Sequence, residues 1–312
     1  MSAMKTKTEP MARRGMPRRV GLRRLCLAAV VWALSGFSAP APAEETDPVV
    51  MTYEVYFGGL HVLSATAELD RTDRRYRVAA QAETQGILDF FFSWRGTTES
   101  VGAFDQAGPE TGVEAGVEAG AEIGAGAGLV PARHRNHGYR GDKVRKVALA
   151  YDGSGDVAAV LVEPPPDLEE VNALPEGAEI GTIDPLSVIA GLSEAMTQGE
   201  ACSGEFQVFD GRRRYDLIVT DKGLQRFEAN DYSIFQGEAR ACGIEYRLLG
   251  GDRKEKSKYV KTARDRVVYV GRPLAEAPAI PVRAKIETDF GTAMAHLTSI
   301  TAGGKQLALK PD

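Results

Sequence analysis

From Tyr53 onward, apolar side chains recur at every second residue over most of the chain, and that spacing commits it to strands. Tyr53, Val55 and Phe57 alternate with polar neighbours up to Gly58-Gly59, and Leu63, Ala65, Ala67 and Leu69 resume the alternation beyond it, which reads as a hairpin. Further strands are predicted at 76–83, 96–104, 131–139, 143–151 and 157–162, then at 224–228, 242–248, 266–271, 281–290 and 294–300. Residues 206–219 read as a second hairpin, turning at Asp210-Gly211, a dipeptide that favours a type I′ turn. About twelve strands in antiparallel order predict a mainly β fold: a curved sheet, a half-barrel or a sandwich.

Four segments break the alternation. Residues 86–94 (GILDFFFSW) are too apolar for an exposed loop and read as one helical turn or a buried strand, with Phe90, Phe91, Phe92 and Trp94 filling the core or lining the mouth of an apolar cavity. Residues 107–128 repeat GVEA and nearly lack large side chains, so they bury too little apolar surface to offset their ordering entropy, and are expected to be a disordered insertion. Residues 163–179, with Pro164, Pro165 and Pro166 in succession, read as an extended linker that would separate two halves. Asp184-Pro185 then supplies a capping side chain and a first-turn proline, so the one main helix is expected near 184–198.

Residues 1–43 carry eight basic side chains and one acidic one, followed by the apolar run 25–34 and by small residues ending in Ala41-Pro42-Ala43. That is the three-part pattern of a secretory signal, with cleavage expected before Glu44. The apolar run is about half of the ~20 residues a membrane span needs, so no permanent anchor is expected and the predicted location is the periplasm. Without this segment the chain keeps 30 basic and 42 acidic residues, a net charge of −12, which argues against a nucleic-acid partner. Of three cysteines, Cys26 leaves with the signal, and Cys202 and Cys242 are expected to pair in an oxidising compartment. They are too far apart in sequence for a C-x-x-C redox motif.

Several landmarks occur together: Tyr53-x-Val-x-x-Gly-Gly, Thr84-x-Gly-Ile-Leu-Asp-x-Phe, Gly128-Leu-Val-Pro131, Asp184-Pro-Leu-Ser187, Cys202 ahead of Phe209-Asp-Gly-Arg-Arg-Arg-Tyr-Asp216, and Pro281-Val-Arg283 followed by Gly291. On these the chain resembles the bacterial exported "domain of unknown function 3108" family across nearly all of 51–300. The resemblance implies a signal-bearing envelope protein and brings no assigned activity. The glycine-, alanine- and glutamate-rich insertion departs from the family pattern.

Residues that could carry chemistry are few. His134-x-x-His137 is the only local pair of metal ligands, and positions i and i+3 of a strand face opposite ways, so both read as surface histidines, and no metal site is expected. His61 and His296 could meet only through the fold. There is no G-x-S-x-G elbow around Ser187 or any other serine and no phosphate-binding G-x-x-x-x-G-K-[ST], so neither a catalytic residue nor a cofactor is assigned. The densest polar cluster is Asp210 to Asp216. If the strand begins at the turn, Arg212 and Arg214 share a face and could clamp a carboxylate or phosphate headgroup, with Tyr215 beside them; otherwise the arginines pair with neighbours such as Glu228 or Glu245. Three functions compete: a carrier of a lipid or other amphiphile, with Phe91 and Trp94 on the tail and Arg212, Arg214 and Tyr215 at the head; an assembly partner of another envelope protein; and a hydrolase whose site the sequence does not assemble.

Overall fold

The computed structural model describes residues 47–104, 128–255, 265–288 and 291–310. The expected signal segment and nearly all of the expected insertion lie outside the described residues. Strands β1 (Val49–Phe57) and β2 (Leu60–Arg71) are joined through Gly58 and Gly59, whose φ values of 57° and 87° make the two left-handed positions of a tight hairpin turn. β3 (Arg75–Thr84), β4 (Trp94–Phe104), β5 (Leu129–Arg140), β6 (Lys143–Tyr151) and β7 (Val157–Glu163) follow, each antiparallel to the one before. The second series is β8 (Gly204–Phe209), β9 (Arg214–Phe227), β10 (Gly237–Gly250), β11 (Asp265–Gly271), β12 (Ile280–Thr288) and β13 (Gly291–Ala302), with β14 (Lys305–Ala308) added to β13.

Both series belong to one sheet. Its order is β7-β6-β5-β4-β3-β2-β1-β13-β12-β11-β10-β9-β8, so the first strand meets the thirteenth at the centre, from Val50 opposite Thr301 to Phe57 opposite Ala293. Strands on either side of the proline-rich stretch are therefore parts of a single curved antiparallel sheet. One short helix, α1 (Gly86–Phe91), connects β3 to β4; the longer α2 (Pro185–Thr197) follows the proline-rich stretch. Asp184 caps α2 by accepting from the Leu186 and Ser187 amides at 3.0 Å each, as the Asp-Pro signature predicts.

The sheet curls around α2. Tyr76 on β3 donates to Ser187 at 2.7 Å and Ser100 on β4 donates to Asp184 at 2.5 Å, while Ile183, just ahead of the helix, exchanges backbone hydrogen bonds with Gln207 and Phe209 of β8. The β8 edge packs across to the other end of the sheet, where Phe209 and Ala178 meet Val147, Leu149 and Tyr151 of β6, the strand next to the β7 edge. Gly211 sits against Val147, where a Cβ would collide. The main core gathers Val49, Met51, Leu69 and Val78 with Leu186, Phe235, Ile280, Leu297 and Ile300, each fully buried aliphatic or aromatic side chain contributing about 1.5–3 kcal/mol. A second cluster surrounds the Cys202–Cys242 disulfide, whose Cα atoms are 5.8 Å apart and which ties the segment after α2 to β10.

Three local expectations are corrected. The loop at Asp210 holds four residues, not two: Asp210 accepts from the Arg212 and Arg213 amides at 2.9 and 2.7 Å, and an aspartate turn of this kind delays the strand until Arg214. The expected strand at 224–228 is the continuation of β9. Phe90, Phe91 and Phe92 do not fill the core, because α1 lies at the end of the sheet with no buried residue at all.

Candidate functional site

The densest buried polar group lies between α2 and the sheet. Asp184 accepts from Ser100 and Ser187 at 2.5 Å each and lies 3.3 Å from Nδ1 of His134; all four side chains are buried. Burial alone would raise the Asp184 carboxyl, but hydrogen bonding and charge from His134, with the Ser100 and Ser187 hydroxyls, hold it below the ordinary carboxylate range. His134 is thus a core residue and not the surface histidine expected from its neighbours. The group resembles a relay in composition but not in geometry, since the same ring nitrogen, Nδ1, meets both Ser100 (2.8 Å) and Asp184, whereas a relay needs one nitrogen for each. On the outer face Glu54, His61 and Ser64 repeat the pattern, again through a single ring nitrogen, Nε2. Both are structural networks. Among the described residues, no group of His, Cys, Asp and Glu side chains could hold a metal ion.

The face that packs on α2 changes character along the strands. Toward one end it carries the core. Toward the other, the rim that bears the β1–β2 turn, α1 and the β5–β6 turn, register and alternation place Val55 and Phe57 beside Leu63 and Ala65, then Ala80 and Ala82, Gly96 and Trp94, and Gly138. In the other direction the same face continues through Ala293 and Ala295 to Ala284 and Ile286. These side chains are small or apolar, and they are half-buried or exposed instead of enclosed. α2 packs mainly on β3, β4, β5 and β8, with Glu194 paired to Arg71 at the far end of β2, and toward this rim the face is floored by alanines and glycines. Trp94 forms part of the floor: its indole lies over Gly96, where a Cβ would stand 2.6 Å from the ring, and Nε1 lies 3.6 Å from the Cβ position of Gly138.

Charge borders this lane on one side. Arg145 on β6 lies opposite Gly138 and so projects from the same face. Arg212 is close enough that, after burial, the positive charge of Arg145 is the main influence lowering its pKa. Arg212 also donates to the Glu163 and Pro164 carbonyls at 2.9 Å each. Arg214 behaves differently: it is buried, donates to Asp216 at 2.7 Å and to Gln207 at 3.0 Å, and is enclosed by the fold. Tyr215 is buried and stacked on Tyr246 at 4.2 Å between centroids, and burial raises its hydroxyl far above the usual tyrosine range. Of the five sequence candidates, Trp94 and Arg212 border the lane, Phe91 lies on the rim beyond it, Tyr215 belongs to the second core, and Arg214 is buried on the opposite side of β9 with Asp216 and Gln207. Arg145 was not singled out from sequence, although its alternation with Val147 and Leu149 marks its face.

An outer-face pocket of about 400 Å³ is lined by Tyr56, Gly58, Gly59, Tyr232, Thr292, Met294 and His296. His61 and His296 each approach the Tyr56 ring, at 5.3 and 6.1 Å between centroids. Burial, with the nearby positive charge of Arg283, pulls the His296 pKa down to about 4, so the ring is neutral at pH 7. Its Nδ1 has no hydrogen-bond partner among the described residues.

The architecture defines a curled-sheet protein, a β scaffold wrapped on one helix with an open apolar lane at one rim. Within that class the family model described as "Protein of unknown function (DUF3108)" matches residues 123–298, more than half of the chain, and the chain belongs to that family. A solved structure, the beta-barrel-like protein of domain of unknown function DUF1849 from Brucella abortus, superposes with a TM-score of 0.49 at 12% identity, covering 83% of this chain and 99% of that one. No curated protein matches.

Proposed function

We propose that the protein is a non-catalytic binding module that takes the apolar chain of an anionic amphiphile along the open half of its inner face, with the headgroup at Arg145 and Arg212. The observation that carries this reading is the rim half of the inner face, where Val55, Phe57, Leu63, Ile286 and Trp94 surround a floor of alanine and glycine and stay partly open to solvent. Apolar surface left open in a concave site gains free energy when a hydrocarbon chain covers it, about 0.8 kcal/mol for each methylene buried. Two neighbouring guanidiniums disfavour each other until an anion joins them, which supplies the preference for a carboxylate or phosphate head. Export to the periplasm, with Glu44 as first residue, belongs to the same proposal. The Cys202–Cys242 disulfide is compatible with an oxidising compartment, and N-terminal sequencing of the protein from its host tests the cleavage.

The binding test is titration with a fluorescent fatty-acid analogue. Saturable binding to the wild-type chain is expected. Ala82→Trp fills the lane from its floor and should abolish binding without unfolding the protein, as checked by circular dichroism. Arg145→Ala should weaken an anionic probe and leave its neutral alcohol counterpart unchanged. Equal binding by wild type and Ala82→Trp would place the ligand elsewhere, and no binding by the wild type would end the proposal.

A further inference from the structure

α1 inverts the usual rule for a surface helix, which buries its apolar side against the fold. Leu60 on the neighbouring hairpin, Ile87, Phe90 and Phe91 are 60, 62, 84 and 77% exposed, and no residue of the helix is buried. What holds it is polar: the Gln85 amide donates to the Val62 carbonyl at 3.0 Å, and Thr84 bonds both Asp89 (2.8 Å) and the Trp94 amide (2.9 Å). These bonds fix the connection between β3 and β4 so that the edge-to-face pair Phe90–Phe91, with centroids 5.1 Å apart, projects into solvent. Contiguous exposed aromatic and aliphatic side chains of this kind mark an interaction surface.

The charges beside it indicate what covers it. Arg140, which pairs with Trp94 across β4 and β5, stacks on the Phe92 ring at 4.1 Å, and Lys143 follows in the adjoining turn. Neither has a carboxylate partner among the described residues, although the rim's nearest acids include Asp89, held by Thr84, and Asp142 in the same turn. An apolar tip with cations at its base that no described carboxylate pairs matches the interface of a bilayer with anionic headgroups: aromatic rings enter the acyl boundary while basic side chains remain among the phosphates. We infer that α1 and the β1–β2 turn form a docking tip for an anionic phospholipid membrane surface. No helix among the described residues is long and apolar enough to cross a membrane. This inference does not depend on a ligand occupying the inner face.

The test uses residues 44–312, which contain every described strand and helix, so that the apolar run at 25–34 cannot bind lipid in their place. Co-sedimentation is measured with vesicles of phosphatidylcholine alone and of phosphatidylcholine mixed with phosphatidylglycerol. Wild type should bind the mixed vesicles, bind pure phosphatidylcholine more weakly, and lose the difference at high salt. Phe90→Ser/Phe91→Ser should raise the lipid concentration for half-binding by about tenfold or more, with unchanged melting and unchanged binding of the soluble fatty-acid probe. Arg140→Gln/Lys143→Gln should reduce binding to mixed vesicles to the level of phosphatidylcholine. Equal binding by wild type and the phenylalanine variant would overturn the inference. So would a wild type that ignores vesicles but sediments as a dimer, dissociated by the same substitutions, since a second copy would then cover the tip.

Discussion

Replacing Asp184 by alanine tests the reading of the buried network as structural. The carboxylate does three things at once: it caps α2, it accepts from Ser100 and Ser187 at 2.5 Å, and it faces His134 at 3.3 Å. Losing the cap costs about 1 kcal/mol, and each buried group left without its partner adds about 1–3 kcal/mol. With relaxation and non-additivity allowed for, Asp184→Ala should lower the free energy of unfolding by about 4 kcal/mol or more. Asp184→Asn keeps one capping oxygen and should cost about half as much. The tyrosines sharpen the test. Tyr76→Phe removes the bond to Ser187 and should cost about 1 kcal/mol. Tyr151→Phe should cost less than about 1 kcal/mol, because the buried Tyr151 hydroxyl has no partner at full hydrogen-bonding geometry and reaches the Asp184 carboxylate only weakly. Urea unfolding followed by far-ultraviolet circular dichroism reads all four variants, with equal m-values required for the comparison. An Asp184→Ala cost below about 1 kcal/mol would refute the reasoning, because no buried network could lose its shared acceptor so cheaply.

Two further outcomes are expected. Cys202→Ala/Cys242→Ala opens a loop closed across 40 residues and should remove about 4 kcal/mol in the chain-entropy model, seen as a drop in melting temperature of about 10 °C; an unchanged transition would mean the link adds nothing to the fold. His296, held at about 4 against an ordinary 6.5, takes up its proton first in the unfolded chain, so its contribution is complete above pH 6.5 and is lost as the pH falls to about 4. Wild type should therefore lose up to about 3 kcal/mol more than His296→Phe across that window, and parallel stability curves for the two would exclude the shift.

Much of the sheet was legible because strand alternation is a local property. The strands from Tyr53 to Tyr151 and the start of α2 at Asp184-Pro185 were all readable from neighbours along the chain. What Asp184 does beyond capping was not, since Ser100 and His134 reach it only after β4 and β5 pair and curl over the helix. The same limit misled the reading of Phe90 to Phe92: their apolarity is plain, but only the sheet order shows that nothing packs beyond α1. Grouping Arg212 with Arg214 on one face requires a strand that begins at the turn. The Asp210 side chain lengthens that turn, leaves Arg212 at the rim and leaves Arg214 buried beside Asp216. Trp94 stands out in the sequence as part of an aromatic run, whereas the glycines that seat it, Gly96 and Gly138, lie two residues along and on the next strand.

Placing β1 against β13 makes the chain slow to commit. The central ladder of the sheet joins residues about 250 positions apart, so β1 has a neighbour on only one side until β13 has been made. Each series of strands can zip locally in the meantime, β1 to β7 and β8 to β13, but neither can complete the shared core around Leu297 and Ile300 alone. During synthesis the β1 edge stays unpaired, a long interval in which a holding chaperone or a transport channel could engage the chain before its tertiary structure locks.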